Sequence, residues 1–358
     1  MTSARRRTAA AAREPPGNSK VIQTDRVDLA VRNELLRLSA PFRISGHVFE
    51  VSPVTLVTLR RGLCVGRGEA AGVYYNHDAP ADMLRTIEGL REVIEAGMTR
   101  AELREVLPPG GARNAIDCAL WELEARLADV PAWQLAGMSR PHALLTTFTV
   151  GADEPRVMAE KARDYTHARA IKLKLTGEVD LDIDRLHAVR EMRPDAWIGV
   201  DANQGYVPDT LSKLLPALVD NRVSLLEQPC RRGYESELEG VDRTVPIAAD
   251  ESILHLRELE ERAHWFDVVN IKLDKCGGLT EGLMMARRAR ELGKRVMVGN
   301  MVGTSLAMAP AFILGQYCDI VDLDGPVFLE KDRTPGVVYA DGHVDCPPNV
   351  WGSPDVDA

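Results

Sequence analysis

From about residue 145 onward, short apolar runs of strand character recur, each followed by a stretch with apolar residues three and four apart. The runs are TTFTV from Thr146, IKLKL from Ile171, IGVDAN from Ile198, SLLEQP from Ser224, IAADES from Ile247, VNIKLDK from Val269, VMVGNM from Val296 and IVDLDGP from Ile320. Successive starts lie 22 to 27 residues apart, the length of one strand plus one returning helix. Eight such units predict a closed parallel barrel. A doubly wound open sheet is the alternative, but the first run is not followed by the G-x-G-x-x-G that such a sheet uses for a dinucleotide.

The chain before the barrel reads differently. Apolar and polar residues alternate around Val54 to Leu63, and helical periodicity follows in Ala81 to Ala96 and Ala112 to Leu127, set off by the PPGG turn at Pro108 to Gly111. This predicts an α+β cap. The closing stretch from Lys331, rich in Pro, Gly and Asp, is expected to return to it. The expected divisions are a disordered tail over 1–20, a capping domain over 21–140, the barrel over 141–329 and a C-terminal segment over 330–358.

Composition narrows the class of function. At 358 residues and 45% hydrophobic composition the chain can bury a large core, and no apolar run approaches the roughly 18 residues of a membrane span. A net charge of -9 without a long basic run argues against nucleic acid or an anionic membrane as partner, which leaves a small-molecule substrate. The six cysteines form no C-x-x-C pair, so neither a zinc site nor a disulfide framework is expected, and a reducing cytoplasm is the default. The first twenty residues, with Arg5, Arg6, Arg7 and Arg13, superficially resemble a transit peptide; a disordered tail or an upstream start codon explains them more simply.

Barrel side chains alternate inward and outward, and catalytic groups gather at the C-terminal strand ends. The polar residues inside the apolar runs follow that rule: Lys172 and Lys174 on the second strand, Asp201 and Asn203 on the third, Glu227 on the fourth, Asp250 on the fifth, Lys272 on the sixth, Asp322 and Asp324 on the eighth. Asp201, Glu227 and Asp250 end consecutive strands about 5 Å apart, so their charges need a cation between them. All-oxygen ligation on rigid strands suits Mg²⁺, with Mn²⁺ meeting the same description. Three separate ion pairs with arginine or lysine are the structural alternative. Lys174 and Lys272 flank this cluster from either side, placed to act as bases on a substrate between them. A divalent cation, burial and the second ammonium of Lys172 would all depress a lysine pKa. A K-x-K in isolation more often marks a solvated strand; the surrounding carboxylates change that reading.

These pieces resemble the enolase superfamily, specifically its muconate-lactonizing subgroup: IKLKL for the K-x-K strand, VDANQGY, LLEQP and AADES for the three metal ligands, NIKLDKCGG for the opposing lysine, and ARNAIDCALWELEARLA for the cap-to-barrel helix. The resemblance covers nearly the whole chain after residue 25. It implies a modified TIM barrel, (β/α)7β, under an α+β capping domain, and Mg²⁺ on Asp201, Glu227 and Asp250 neutralising an enediolate formed from the substrate carboxylate. Within the subgroup DLDGP is similar to the dipeptide epimerases, the alanyl-glutamate enzymes in particular, where the D-x-D pair holds the substrate ammonium; two carboxylates on one face are tolerable with a cation between them. The implied function is isomerisation: 1,1-proton transfer at the α-carbon of a dipeptide such as Ala-Glu, with Lys174 and Lys272 catalytic and Lys172, Asp322 and Asp324 binding substrate.

One departure stands out. The basic residue expected in the first capping loop, PFRISGH, is displaced, leaving Arg43 or His47 as candidates, while the second loop, GVYYNHD, offers Tyr75 with Tyr74 and His77. N-acyl glutamate racemisation therefore stays open, as do a cycloisomerase or o-succinylbenzoate synthase of the same subgroup and a barrel that binds without turnover. A homo-oligomer is a further expectation from the class of barrel.

Overall fold

The computed structural model describes residues 26–44, 47–73 and 78–354. The N-terminal sheet is antiparallel in the order β1 (Asp28–Ile44), β2 (His47–Arg61), β3 (Cys64–Ala70). β2 contains the alternation read from Val54, but starts seven residues earlier. β1 was not anticipated. Its first residues alternate properly, with Leu29 buried, but in Glu34-Leu35-Leu36-Arg37 the pattern fails, and Leu35 is exposed. A register shift between Arg37 and Phe42 accompanies that failure.

The helical stretch beginning near Ala81 is two helices, α1 (Pro80–Gly89) and α2 (Arg91–Glu95), broken at Leu90 where the backbone leaves helical geometry. α3 (Arg100–Val106) starts on a capping box between Thr99 and Glu102. α4 (Gly111–Leu127) is buried along most of its length between the cap sheet and the barrel. Its approach to β3 depends on two glycines. A Cβ at Gly68 would stand 2.0 Å from the Ala115 carbonyl oxygen, and one at Gly66 2.0 Å from that of Ala119. Neither obstacle is a side chain that can turn aside. Gly68→Ala is therefore expected to cost on the order of 3 kcal/mol, read as a lower urea midpoint with an unchanged slope.

After a short helix α5 (Ala132–Leu135) and the two-residue strand β4 (Leu144–Leu145), the barrel begins. Its parallel strands are β5 (Thr147–Val150), β6 (Ala170–Lys174), β7 (Trp197–Asp201), β8 (Leu225–Glu227), β9 (Ile247–Ala249), β10 (Val268–Lys272), β11 (Arg295–Gly299) and β12 (Ile320–Val321), neighbours in that order. All eight predicted runs are strands of this one sheet. The returning helices are α6 (Pro155–Asp164), α7 (Val179–Met192), α8 (Pro208–Asp220), α9 (Leu256–Arg262), α10 (Leu273–Cys276) with α11 (Leu279–Glu291), and α12 (Ser305–Gly315). Between β8 and β9 the crossover holds only a 3-10 turn, Glu235–Leu238; Pro229, Gly233 and Gly240 interrupt any longer helix there.

Leu225, Ala248, Val268 and Met297 plug the barrel's lower interior, and Trp197 lies against the Cβ position of Gly199. The polar layer sits on this plug. Among the described residues β5 and β12 share no backbone ladder. Their seam is joined instead through side chains: the Thr147 hydroxyl to Asp322, Thr149 N to Asp324 Oδ2 at 2.6 Å, and Leu323 N to Thr146 Oγ1 at 3.0 Å.

Past the barrel, β13 (Val338–Ala340) pairs with β14 (His343–Asp345), which in turn pairs with β4, and the chain then reaches the cap. Arg333 bonds Glu69 of β3 and Glu34 of β1, and Trp351 Nε1 donates to Arg67 O at 2.8 Å. Among the described residues no helix is long and apolar enough to cross a membrane.

Candidate active site

Lys174, Asp201 and Glu227 stand side by side in the register of β6, β7 and β8, each at the C-terminal end of its strand. Asp250 follows β9 directly. One carboxylate oxygen from each of Asp201, Glu227 and Asp250 lies within 4.8 Å of the others, and all three residues are essentially inaccessible to solvent. The structure thus brings the predicted trio together.

Each carboxylate is held in place. Asp201 Oδ1 accepts from Asn203 N at 3.0 Å, Glu227 Oε1 from Asn270 Nδ2 at 2.7 Å, and Asp250 Oδ1 from Lys275 Nζ at 2.6 Å. Burial, and next the charge of Asp201, pushes the Glu227 carboxyl above its ordinary range, only partly opposed by Lys172. At Asp250 burial acts the same way, but Lys272 and Lys275 outweigh it and hold the carboxyl well below the usual carboxylate range. Beside it, Glu251 is pushed up to about 8 by burial and by the Asp250 charge, and its Oε2 is buried without a hydrogen-bond partner. An acid cluster with like-charge strain at Glu227 and an orphaned oxygen at Glu251 lacks positive charge. Three buried carboxylate oxygens within 4.8 Å of one another, with like-charge strain at Glu227, form an all-oxygen donor set that fits one Mg²⁺.

Lys174 Nζ lies 2.5 Å from Asp201 Oδ2 and Lys272 Nζ 2.6 Å from Asp250 Oδ2. β6 and β10 are four places apart in an eight-strand barrel, so the two lysines face each other across its mouth. Lys172 contacts Asp322 and sits 3.3 Å from Glu227 and 3.8 Å from Asp201. Without a cation on the trio, the carboxylates raise two of these lysines, Lys172, expected to stay an ammonium, and Lys272, expected to be lowered once a divalent cation is bound. Burial lowers Lys172 and Lys272, but Asp322, Glu227 and Asp201 around the first, and Asp250, Glu227 and Asp201 around the second, more than reverse it.

A cavity of about 500 Å³ opens above this layer and is lined by Lys172, Lys174, Asp250, Lys272, Asp322 and Asp324. Asp322 and Asp324 share its wall, as the alternation predicted, while each also serves the seam. Lys172 and the Thr147 hydroxyl hold the Asp322 carboxyl below its ordinary range despite burial. Burial and the neighbouring Asp322 push Asp324 up to about 6.

The capping-loop candidates fare differently. Arg43 does not line the cavity and pairs instead with Asp153 at 3.0 Å. The side chain of His47, and Tyr74, Tyr75 and His77 entirely, lie outside the described residues. The stretch carrying the latter three is fixed at both ends, by Gly72 N donating to Asp274 Oδ1 at 2.9 Å and by Asp78 accepting from Gly111 N at 2.5 Å. Lys275, Glu251 and Asn270 were not singled out in the sequence. Their signal was present in NIKLDK and AADES, but only the folded layer shows that Lys275 is fully buried with four acceptors around its ammonium.

Comparison with known proteins agrees with this geometry. Residues 157–350 match the model of enolase C-terminal domain-like proteins, and residues 26–137 that of the mandelate racemase/muconate lactonizing enzyme N-terminal domain. The chain is 35% identical to L-Ala-D/L-Glu epimerase of Escherichia coli over 88% of its own length and 98% of that protein. It is 37% identical to N-acetyl-D-glutamate racemase of a Pseudoalteromonas species over 69% and 78%. An enolase family member from Agrobacterium tumefaciens with homology to dipeptide epimerases, solved with bound sodium and L-Ala-L-Glu, superposes with a TM-score of 0.87 at 37% identity, covering 91% of this chain and 100% of that one.

Proposed function

This chain belongs to the enolase superfamily, and from that premise we propose that it is an isomerase that inverts the α-carbon of the carboxy-terminal residue of a dipeptide. The observation that carries the reading is the placement of two lysines on opposite strands of one cavity, with a carboxylate trio between them and an aspartate pair at its end. Asp201, Glu227 and Asp250 would hold Mg²⁺, whose positive charge offsets the charge a substrate carboxylate gains when its α-proton leaves. Lys174 as free amine takes the proton from one face, and Lys272 as ammonium returns one from the other; the roles exchange for the other epimer. Lys172 holds Asp322 and Glu227 in position. Asp322 and Asp324 receive the substrate ammonium. The six cysteines are free, which supports placing the protein in the reducing cytoplasm.

The test is a screen of dipeptides and N-acyl amino acids in D₂O by mass spectrometry, because α-deuterium uptake reports proton abstraction without net conversion. An ammonium between two carboxylates makes charge-assisted hydrogen bonds, which a neutral acyl group cannot. A dipeptide should exceed its N-acyl counterpart by about ten- to a thousandfold in kcat/KM, at roughly 1.4 kcal/mol per tenfold. Asp324→Asn should shrink that preference by harming the dipeptide. The reverse preference would make N-acyl amino acid racemisation the better assignment.

A pH limb follows from Asp324. Its carboxyl, raised to about 6, binds ammonium only when ionised. The ratio of kcat/KM for dipeptides between the parent and Asp324→Asn, in which the lysine limb cancels, should therefore fall as pH drops through about 6, up to tenfold per unit below it. A ratio that stays constant down to pH 5 would contradict the role.

A further inference from the structure

The cavity's two ends differ in chemistry. The barrel floor is ionic, whereas the wall contributed by the cap hairpin is made of Leu38, Phe42 and Phe49, joined by Phe328 and Met301 from the barrel loops. The position of this apolar wall relative to the aspartate pair is fixed by three contacts. Phe328 ends the 3-10 turn that begins immediately after Asp324. Its ring meets that of Phe42 at a centroid distance of 4.7 Å. Phe42 in turn lies 3.6 Å from the Cβ position of Gly151, just beyond β5 and two residues from Thr149, whose amide bonds Asp324. The aromatic pair therefore stands over the seam, at the end of the cavity where an ammonium would sit, and away from the lysine-to-lysine axis between β6 and β10.

The wall is also built in. Glu330 N donates to Arg37 O at 2.9 Å, Ser39 Oγ to Phe328 O at 3.2 Å, and Leu38 bridges Leu329, so β1 is stitched to the segment that carries Phe328. Among the described residues no arginine or histidine lines the cavity, and its lysines face the floor carboxylates. A side chain on the amino-terminal residue of a substrate anchored at Asp322 and Asp324 would meet hydrocarbon on this wall. An alanine methyl group covers little of it, while an aromatic or branched side chain removes both itself and the two rings from water.

Resting on the dipeptide reading above, we infer that Phe42 and Phe328 form the subsite for the amino-terminal side chain and select dipeptides whose first residue is large and apolar. The preference would set this chain apart from the relative named for L-Ala-D/L-Glu.

The experiment measures kcat/KM by α-deuterium exchange, with Mg²⁺ present, for L-Phe-L-Ala, L-Leu-L-Ala, L-Ala-L-Ala, L-Ala-L-Phe and L-Ala-L-Glu. L-Phe-L-Ala and L-Leu-L-Ala should exceed L-Ala-L-Ala by about ten- to a hundredfold. In Phe42→Ala and Phe328→Ala that ratio should collapse to within about threefold, carried by a higher KM for L-Phe-L-Ala; Phe42→Leu, which keeps apolar bulk, should retain most of it. Should either alanine variant misfold by circular dichroism, the leucine variant and the substrate series on the unmodified enzyme still decide. A best substrate of L-Ala-L-Glu, L-Ala-L-Ala or L-Ala-L-Phe overturns the subsite while leaving dipeptide epimerisation standing. Absence of exchange with every dipeptide, with N-acyl amino acids active, overturns the dipeptide reading and the subsite with it.

Discussion

Lys174→Ala and Lys272→Ala should each lose epimerisation by about a thousandfold or more, within the range that a positioned acid or base supplies. Inversion requires a proton taken from one face and returned to the other, and the two ammonium groups stand four strands apart across the barrel mouth. The informative part is what survives. Each variant keeps one lysine, so it should still wash deuterium into the one stereoisomer whose α-hydrogen faces that residue, and the two variants should show opposite stereochemical preferences. A variant that retains normal epimerisation would refute the two-base arrangement and favour a one-base elimination or cycloisomerisation. Far-UV circular dichroism guards against collapse of the layer, because removing Lys174 leaves Asp201 with Lys172 at 3.8 Å as its remaining ammonium, and removing Lys272 leaves Asp250 with Lys275 alone.

An equally large effect is expected at the acid trio. EDTA should abolish turnover and Mg²⁺ restore it, and Asp201→Asn, Glu227→Gln and Asp250→Asn should each be nearly inactive. Glu227→Gln offers a readout independent of activity. The carboxyl of Glu227 is raised by burial and by Asp201, so its ionised form at neutral pH costs the metal-free protein stability. That cost is absent below the unfolded-state pKa and grows as pH rises past it. Glutamine keeps an oxygen for Asn270 and removes the charge. The metal-free variant should therefore melt higher than the metal-free parent at pH 7, while Mg²⁺ should raise the melting temperature of the parent alone. Equal Mg²⁺ stabilisation of both proteins would remove Glu227 from the ligand set.

The barrel was legible because its period is physical: every strand buried on both faces needs a continuous apolar run, and every crossover needs a fixed length of chain. The charged residues interrupting those runs gave away the floor for the same reason, since a lysine or carboxylate in a buried strand must have a partner. β1 was illegible because the half-buried face of its Glu34 to Arg37 stretch pairs Glu34 with Leu36 while Leu35 stands exposed, so the apolar residues do not alternate. The crossover between β8 and β9 kept the spacing of a helical unit without the helix, and spacing was all that periodicity measured. Lys275 and Glu251 lie next to residues that were recognised, yet on their own they read as ordinary surface charges. Arg43 shows the converse. Sequence position put it in a capping loop, but in the fold its guanidinium pairs with Asp153.

Asp322 and Asp324 carry a further implication for how such a barrel can change its diet. The same two carboxylates that face the cavity also clasp the last strand to the first, through Thr147 and Thr149, where no backbone ladder does so. A lineage drifting toward substrates without an ammonium could not simply discard them, because the gap they span would open at the mouth of the active site. It would have to refit the hoop and the binding pocket together, with substitutions at 147 and 149 answering those at 322 and 324 in a non-additive way. On the proposed reading, a D-x-D at this place answers to two demands at once, one from the meal and one from the vessel that holds it.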